Sequence, residues 1–170
     1  GKISFSQASS FNLDEYRVLE VANIQSYRYF MNEHLFNLVD IDKSQTHFPA
    51  CSSSDAKKVG PKYEQTIKDA GGIDIQLLGL GGNGHIGFIE PDEEFSKIMH
   101  CVDLKPETIE ANSRLFDKTD NVPRQAYSMG IGTIMAARQV VLIANGSTKV
   151  KAVKATVEGP VRPSCPASIL

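Results

Sequence analysis

An α/β fold built on a mainly parallel sheet is what this sequence predicts, and three features predict it. Apolar runs of strand length alternate with amphipathic stretches of helical spacing. One run, Ile73 to Leu80, starts in strict alternation and ends continuously apolar, the pattern of a strand entering a buried sheet. That run empties into a glycine-rich loop, and α/β proteins bind ligands beyond the carboxyl ends of such strands.

Taken in order, the short segment Ala8 to Phe11 suits a strand. Tyr27, Phe30, Met31, Leu35 and Leu38 recur at spacings of three and four, which predicts a helix from about Ile24 to Leu38. The polar stretch Ser44 to Pro61, with Ser52-Ser53-Ser54 and two prolines, reads as a surface loop, and Tyr63 to Ala70 as a helix stopped by Gly71-Gly72. Ala126 to Met129 and Val140 to Ala144 are expected as strands, with helices at Thr133 to Arg138 and Thr148 to Val157. The segment Asp92 to Pro123 interrupts the alternation and is expected as a lid on a single domain spanning 1–170.

Composition narrows the function. With 170 residues and 41% hydrophobic side chains, a chain of this size buries roughly two-thirds of its unfolded surface as one domain. The 18 basic and 20 acidic residues give a net charge of −2 with no basic run, which excludes nucleic acid and an anionic membrane surface as partners. No apolar stretch approaches the ~20 residues that span a bilayer, and Gly1-Lys2-Ile3-Ser4-Phe5 is not a signal peptide. Cys51, Cys101 and Cys165 are odd in number, far apart and without a C-x-x-C pair, so neither a disulfide framework nor a zinc site is expected, and a reducing cytoplasm fits.

The sharpest feature is Leu78 to Pro91, where five glycines surround His85 and Glu90. Glycines let backbone approach a ligand, and Glu90 can fix the tautomer of the His85 imidazole for proton transfer. Gly79, Gly81 and Gly84 also satisfy G-x-G-x-x-G, with Asp103 about twenty residues on. Pro91 comes too soon for the long helix a dinucleotide needs, so that reading fails. Earlier, Asp14 and Glu15 are adjacent carboxylates whose side chains point apart on a strand end. One can then face a cleft as a base while the other serves structure, although a plain solvated acidic turn has the same composition. Cations suited to a phosphate are Arg114 and Lys149, the latter in the turn Asn145 to Lys149 ahead of a helix.

Six stretches in this order resemble the glucosamine-6-phosphate deaminase family: Phe11 to Tyr16, Gln25-Ser26-Tyr27, Gly71 to Asp74, Gly84 to Phe88, Ala111 to Arg114, and Gly130 to Thr133. The resemblance implies an α/β sandwich shared with sugar-phosphate isomerases and 6-phosphogluconolactonase, within the ribose-5-phosphate isomerase and CoA-transferase-like superfamily. It also implies conversion of glucosamine 6-phosphate to fructose 6-phosphate and ammonia, with no metal or organic cofactor. Asp14 then looks like the base moving a proton between C2 and C1. His85 looks like the ring-opening group, assisted by Glu90 and Asn83, while Glu15 and Gly84 would lie at the substrate. Arg114 and Lys149 look like the phosphate ligands, and 92–123 like the mobile lid. The resemblance allows a monomer or a homo-oligomer acting on a small-molecule sugar phosphate.

Against the family pattern, a strand and phosphate-holding loop are expected before Gly1, and a helix and strand after Leu170. An exposed sheet edge is the expected consequence. Val18 stands for a glycine, Ile89 for an asparagine and Ala136 for an aspartate, and Ile89 cannot make an asparagine's hydrogen bonds. These departures permit a weakened homologue that only binds a sugar phosphate, and a galactosamine-6-phosphate deaminase is a close variant of the reading the resemblance implies.

Overall fold

Two parallel strand pairs and one three-stranded antiparallel sheet organise the chain, with helices packed around them. The computed structural model describes residues 3–52, 55–113, 116 and 122–170. Strands β1 (Ser10–Phe11) and β3 (Thr46–His47) pair in parallel, as do β4 (Ile75–Gly79) and β7 (Gln139–Ile143), in register from Ile75 opposite Gln139 to Gly79 opposite Ile143. Between them in sequence lie β2 (Asp14–Tyr16), β5 (His100–Asp103) and β6 (Gln125–Ser128), which form an antiparallel sheet with β6 in the middle. The parallel pairs match the expected α/β class. The sheet that carries Asp14 is antiparallel.

The main core gathers where these sheets meet. Val59, Tyr63 and Ile67 line one face of α2 (Ala56–Asp69) and pack with Leu78, Ile86, Met99, Tyr127 and Ile134. Helix α2 starts seven residues before the predicted Tyr63, within the stretch expected as a loop. The Asp55 carboxylate caps it, accepting from Lys57 N at 3.2 Å, and the four-residue spacing of Val59, Tyr63 and Ile67 supplies the buried stripe. Pro61 inside the helix removes one backbone donor without ending it. Helix α1 (Tyr27–Met31) is shorter than expected and runs into a π-helical turn at Asn32–Phe36. Ser26 fixes its start, its hydroxyl accepting from Tyr29 N at 3.0 Å.

Among its described residues the segment 92–123 contains a strand and a helix. His100–Asp103 is a strand of the body, and Glu64 of α2 accepts hydrogen bonds from Met99 N at 2.8 Å and from the Thr133 hydroxyl at 2.7 Å. Beyond that strand, α3 (Pro106–Ser113) packs Ile109 against the cluster of Tyr16, Phe88, Leu104 and Ala126. The remaining described helices are α4 (Ile131–Met135) and α5 (Val150–Val157), the latter preceded by a 3₁₀ turn at Ser147–Lys149.

Ile89 lies in the core, 7% exposed, where an apolar side chain belongs. Strand β4 buries Gln76 and Leu78 but leaves Ile75 and Leu77 62% and 59% exposed, so one face of this strand is open. A groove of about 750 Å³ runs along it, lined by Phe5, Phe11, Ile41, Ile73 and Leu77 among others.

Val18 is held at φ 59°, a conformation that a β-branched residue adopts only under strain. Its side chain is exposed, so little packing opposes its removal. Val18→Gly is expected to raise the urea midpoint, stabilising by about 1 kcal/mol after the extra unfolded-state freedom of glycine is subtracted. A lower midpoint would show that the turn is not strained.

Candidate active site

Asp14 and His85 line one cavity of about 640 Å³, together with Tyr27, Asn83, Phe88, Glu90, Lys105, Glu107, Thr108 and Asn112. Strand alternation explains the first of these. Asp14 and Glu15 are neighbours on β2, and their side chains leave opposite faces of the sheet. The Asp14 carboxyl enters the cavity. Its pKa is pushed up to about 7, first by burial and then by the charge of Glu15.

Glu15 is not among the residues lining the cavity. It is 2% exposed and accepts three backbone hydrogen bonds, from Tyr16 N at 2.9 Å and from Tyr27 N and Arg28 N at 3.0 Å. Two of these donors belong to the first turn of α1, where backbone N–H groups lack helical partners. Glu15, expected at the substrate, docks α1 onto β2 and is not among the residues lining the cavity. That docking stacks Tyr27 on Tyr16 with ring centroids 5.4 Å apart and presents Tyr27 to the cavity.

The loop after β4 holds His85 through its glycines. A Cβ on Gly81 would lie 2.3 Å from the His85 ring, so only glycine lets the imidazole lie against the loop. Gly84 has φ +88°, and a Cβ there would meet Cys165 Sγ at 2.6 Å. Gly84, expected at the substrate, is buried and is not among the residues lining the cavity, whereas Gly82 is.

Around His85 the hydrogen bonds fix proton positions. Asn83 Oδ1 accepts from His85 N at 3.2 Å and lies 2.7 Å from His85 Nδ1, while Asn83 Nδ2 donates to Glu90 Oε2 at 2.9 Å. The reverse amide orientation would set oxygen against carboxylate and lose the His85 N–H acceptor. Nδ1 therefore carries hydrogen, and Nε2 is the free base. Glu90 Oε2 is 3.7 Å from His85 Nδ1, close enough for charge but too far for a hydrogen bond. The expectation that Glu90 fixes the tautomer directly is thus corrected: Asn83 fixes it, and Glu90 orients Asn83. Burial holds the His85 pKa below its ordinary value; Glu90 opposes this, and Lys149 and Lys105 add to it.

Lys149 is half-buried in the turn after β7, near enough to influence His85 but outside the cavity lining. Arg114 lies outside the described residues. Sequence reasoning missed Tyr27, Lys105, Glu107 and Thr108 at the cavity. Tyr27 is hidden by its place in an apolar stripe, and the other three carry no motif beyond the lid segment. Among the described residues no group of three or more His, Cys, Asp and Glu side chains is placed to hold a metal ion, and no helix is long and apolar enough to cross a membrane.

Comparison with known proteins gives the class first. The sequence model of the glucosamine-6-phosphate isomerases/6-phosphogluconolactonases matches residues 1–170, and the chain belongs to that family. A 6-phosphogluconolactonase from Thermotoga maritima has the same fold at TM-score 0.74 and 20% identity, over 98% of this chain and 70% of its own. Within the family the chain sides with the glucosamine-6-phosphate deaminases. It is 50% identical to that of Pseudoalteromonas translucida over 99% of this chain and 63% of the relative. It is 49% identical to that of Halothermothrix orenii, over 100% of this chain and 70% of the relative. A solved monomeric glucosamine-6-phosphate deaminase superposes at TM-score 0.92 and 39% identity, over 97% of this chain and 68% of its own. The chain thus spans about two-thirds of the length of these relatives.

Two outcomes test the site. Because Asp14 ionises at about 7 in the fold against 3.8 for the free side chain, the folded state binds more protons between those values. The associated stability is whole below pH 3.8 and is lost as pH rises through 7. In urea unfolding, the gain of Asp14→Asn over the parent is expected to be larger at about pH 8 than at about pH 5, by about 1–3 kcal/mol after discounting for water in the cavity. Asn83→Asp would put a carboxylate on His85 Nδ1, and NMR titration should show the His85 pKa rising by about 1–2 units.

Proposed function

We propose that this site converts glucosamine 6-phosphate and water to fructose 6-phosphate and ammonia. The observation that carries the reading is one cavity holding a carboxylate poised to titrate near neutrality and an imidazole whose Nδ1 is engaged by Asn83, whose Nε2 is left free and whose pKa burial lowers. Their roles follow from what each can do. His85 Nε2 takes the anomeric hydroxyl proton as the pyranose ring opens and returns a proton to the ring oxygen. Asp14 then removes the proton at C2 of the open aldose and delivers one to C1, leaving an imine at C2. Water adds there and ammonia departs. A base with a pKa near 7 suits both halves of that transfer, being strong enough to accept and weak enough to release.

The relatives named above support this reaction over lactone hydrolysis, since they are deaminases at about half identity while the lactonase is similar in fold alone. Lys149 and, by sequence position, Arg114 would bind the phosphate. The reaction is a hydrolytic step of amino-sugar breakdown and suits the cytoplasm. Of the substitutions that suggested a weakened binder, Val18 and Ala136 are exposed, Ile89 is in the core, and none lines the cavity. The site's own residues therefore favour the enzyme. The C4 epimer, galactosamine 6-phosphate, is the natural competing substrate.

In an ammonia-release assay with both epimers, Asp14→Asn is expected to lower kcat by about 10²–10⁴-fold with a small change in KM. Parent protein that binds the sugar phosphate without releasing ammonia would establish the binding module instead.

A further inference from the structure

The relay from Glu90 through Asn83 to His85 leaves one oxygen of Glu90 to be accounted for. Oε2 accepts from Asn83, and Oε1 accepts from the Thr108 hydroxyl at 2.6 Å, the short distance of a hydroxyl donating to a carboxylate. Thr108 is on α3, eighteen residues beyond Glu90 in sequence. Pro106 opens that helix, and Lys105 O accepts its first backbone bond, from Ile109 N at 3.0 Å. Thr108 and Asn112 are four residues apart and so share a face, with Lys105 three residues before Thr108. All three line the cavity, and each makes a different hydrogen bond. Lys105 Nζ donates to Pro91 O at 3.2 Å, Thr108 to Glu90, and Asn112 Nδ2 to the Tyr16 hydroxyl at 2.9 Å. Of these three contacts, only that of Thr108 ends on a member of the relay.

We propose that Thr108 is a positioning residue whose hydroxyl holds Glu90 in the orientation that Asn83 and His85 require, so that the relay is complete only while α3 is docked. What the relay accomplishes rests on the deaminase reading; its geometry does not. With the helix displaced, Oε1 turns to water, the carboxylate rotates, and the amide of Asn83 loses the acceptor that fixes its direction. His85 Nδ1 then loses its defined partner. The titratable and charged groups around His85 are Glu90 from its own loop, Lys105 and Glu107 beside the start of α3, Asp14 from β2 in the same cavity and Lys149 from the turn after β7, and those that act on its ionisation are Glu90, Lys105 and Lys149. Loosening Glu90 removes the only one of these that favours the imidazolium.

Thr108→Val keeps the shape of the side chain and deletes the donor, whereas Thr108→Ser keeps the donor. Both are made in the full chain and again in a Glu90→Gln background. Thr108→Val is expected to lower kcat/KM for glucosamine 6-phosphate about tenfold with an unchanged melting midpoint, and Thr108→Ser to retain most activity. In the Glu90→Gln background the valine substitution is expected to cost little more, because the two act as a unit. An equal loss in both backgrounds, or a serine variant as poor as valine, would overturn the proposal. If the parent itself releases no ammonia, the deaminase reading fails and the latch is judged by NMR titration of His85 alone. There Thr108→Val should lower the His85 pKa by about half a unit and Thr108→Ser should leave it in place. A titration that valine does not move would sink the latch whatever the assay shows.

Discussion

The buried carboxylate of Glu15 is the interaction on which the site side of the molecule depends. Its oxygens gather the N–H groups of Tyr16, Tyr27 and Arg28, joining a three-residue strand to the start of a short helix. Neither element has enough regular structure to be stable alone. A charged acceptor with three donors offsets the cost of its own burial, and removing it would leave those donors unpartnered in the interior. Two consequences for function arise from the same contact. Strand alternation sends Asp14 to the other face, into the cavity, and the nearby charge makes its ionisation harder. The docked helix also places Tyr27 beside it, stacked on Tyr16 and next to Phe88.

On the far side of the cavity, order comes from the absence of side chains. Gly81 allows the imidazole to lie on its own loop, and Gly84 allows that loop to lie against Cys165, with Ala167 N bonded to Gly84 O at 2.9 Å. The 3₁₀ turn at Pro166–Ile169 therefore props the loop from behind. Asp14 and His85 are held by different sheets, and the contact of Phe88 N with the Ser128 hydroxyl at 3.1 Å ties the loop to β6, the strand that pairs with β2.

Much of this is legible in the residues, and the exceptions have physical reasons. Long, strongly patterned segments such as β4 and β7 are readable because apolar alternation depends only on neighbours in sequence. The division of labour between Asp14 and Glu15 is readable as a pair but not by member, since alternation says that two adjacent side chains part without saying which way the core lies. The early start of α2 is hidden because Pro61 and the serine run outweigh the Val59, Tyr63, Ile67 stripe. His100–Asp103 is hidden because its partner, β6, is some twenty-five residues away and nothing in a four-residue strand announces an antiparallel pairing. At the site, His85, Asn83 and Glu90 stand together in one glycine-rich stretch. Thr108 is eighteen residues from Glu90, and only the fold reveals that contact.

The strand and the helix of the 92–123 segment also divide its contacts. Helix α3 meets the rest of the fold through Ile109, which packs on the Tyr16, Phe88, Leu104 and Ala126 cluster, and through the hydrogen bonds of Lys105, Thr108 and Asn112. One short helix thus serves as core on one face and as cavity wall on the other, so a change of volume beneath Ile109 would be transmitted to the cavity as a shift of Thr108 and Asn112.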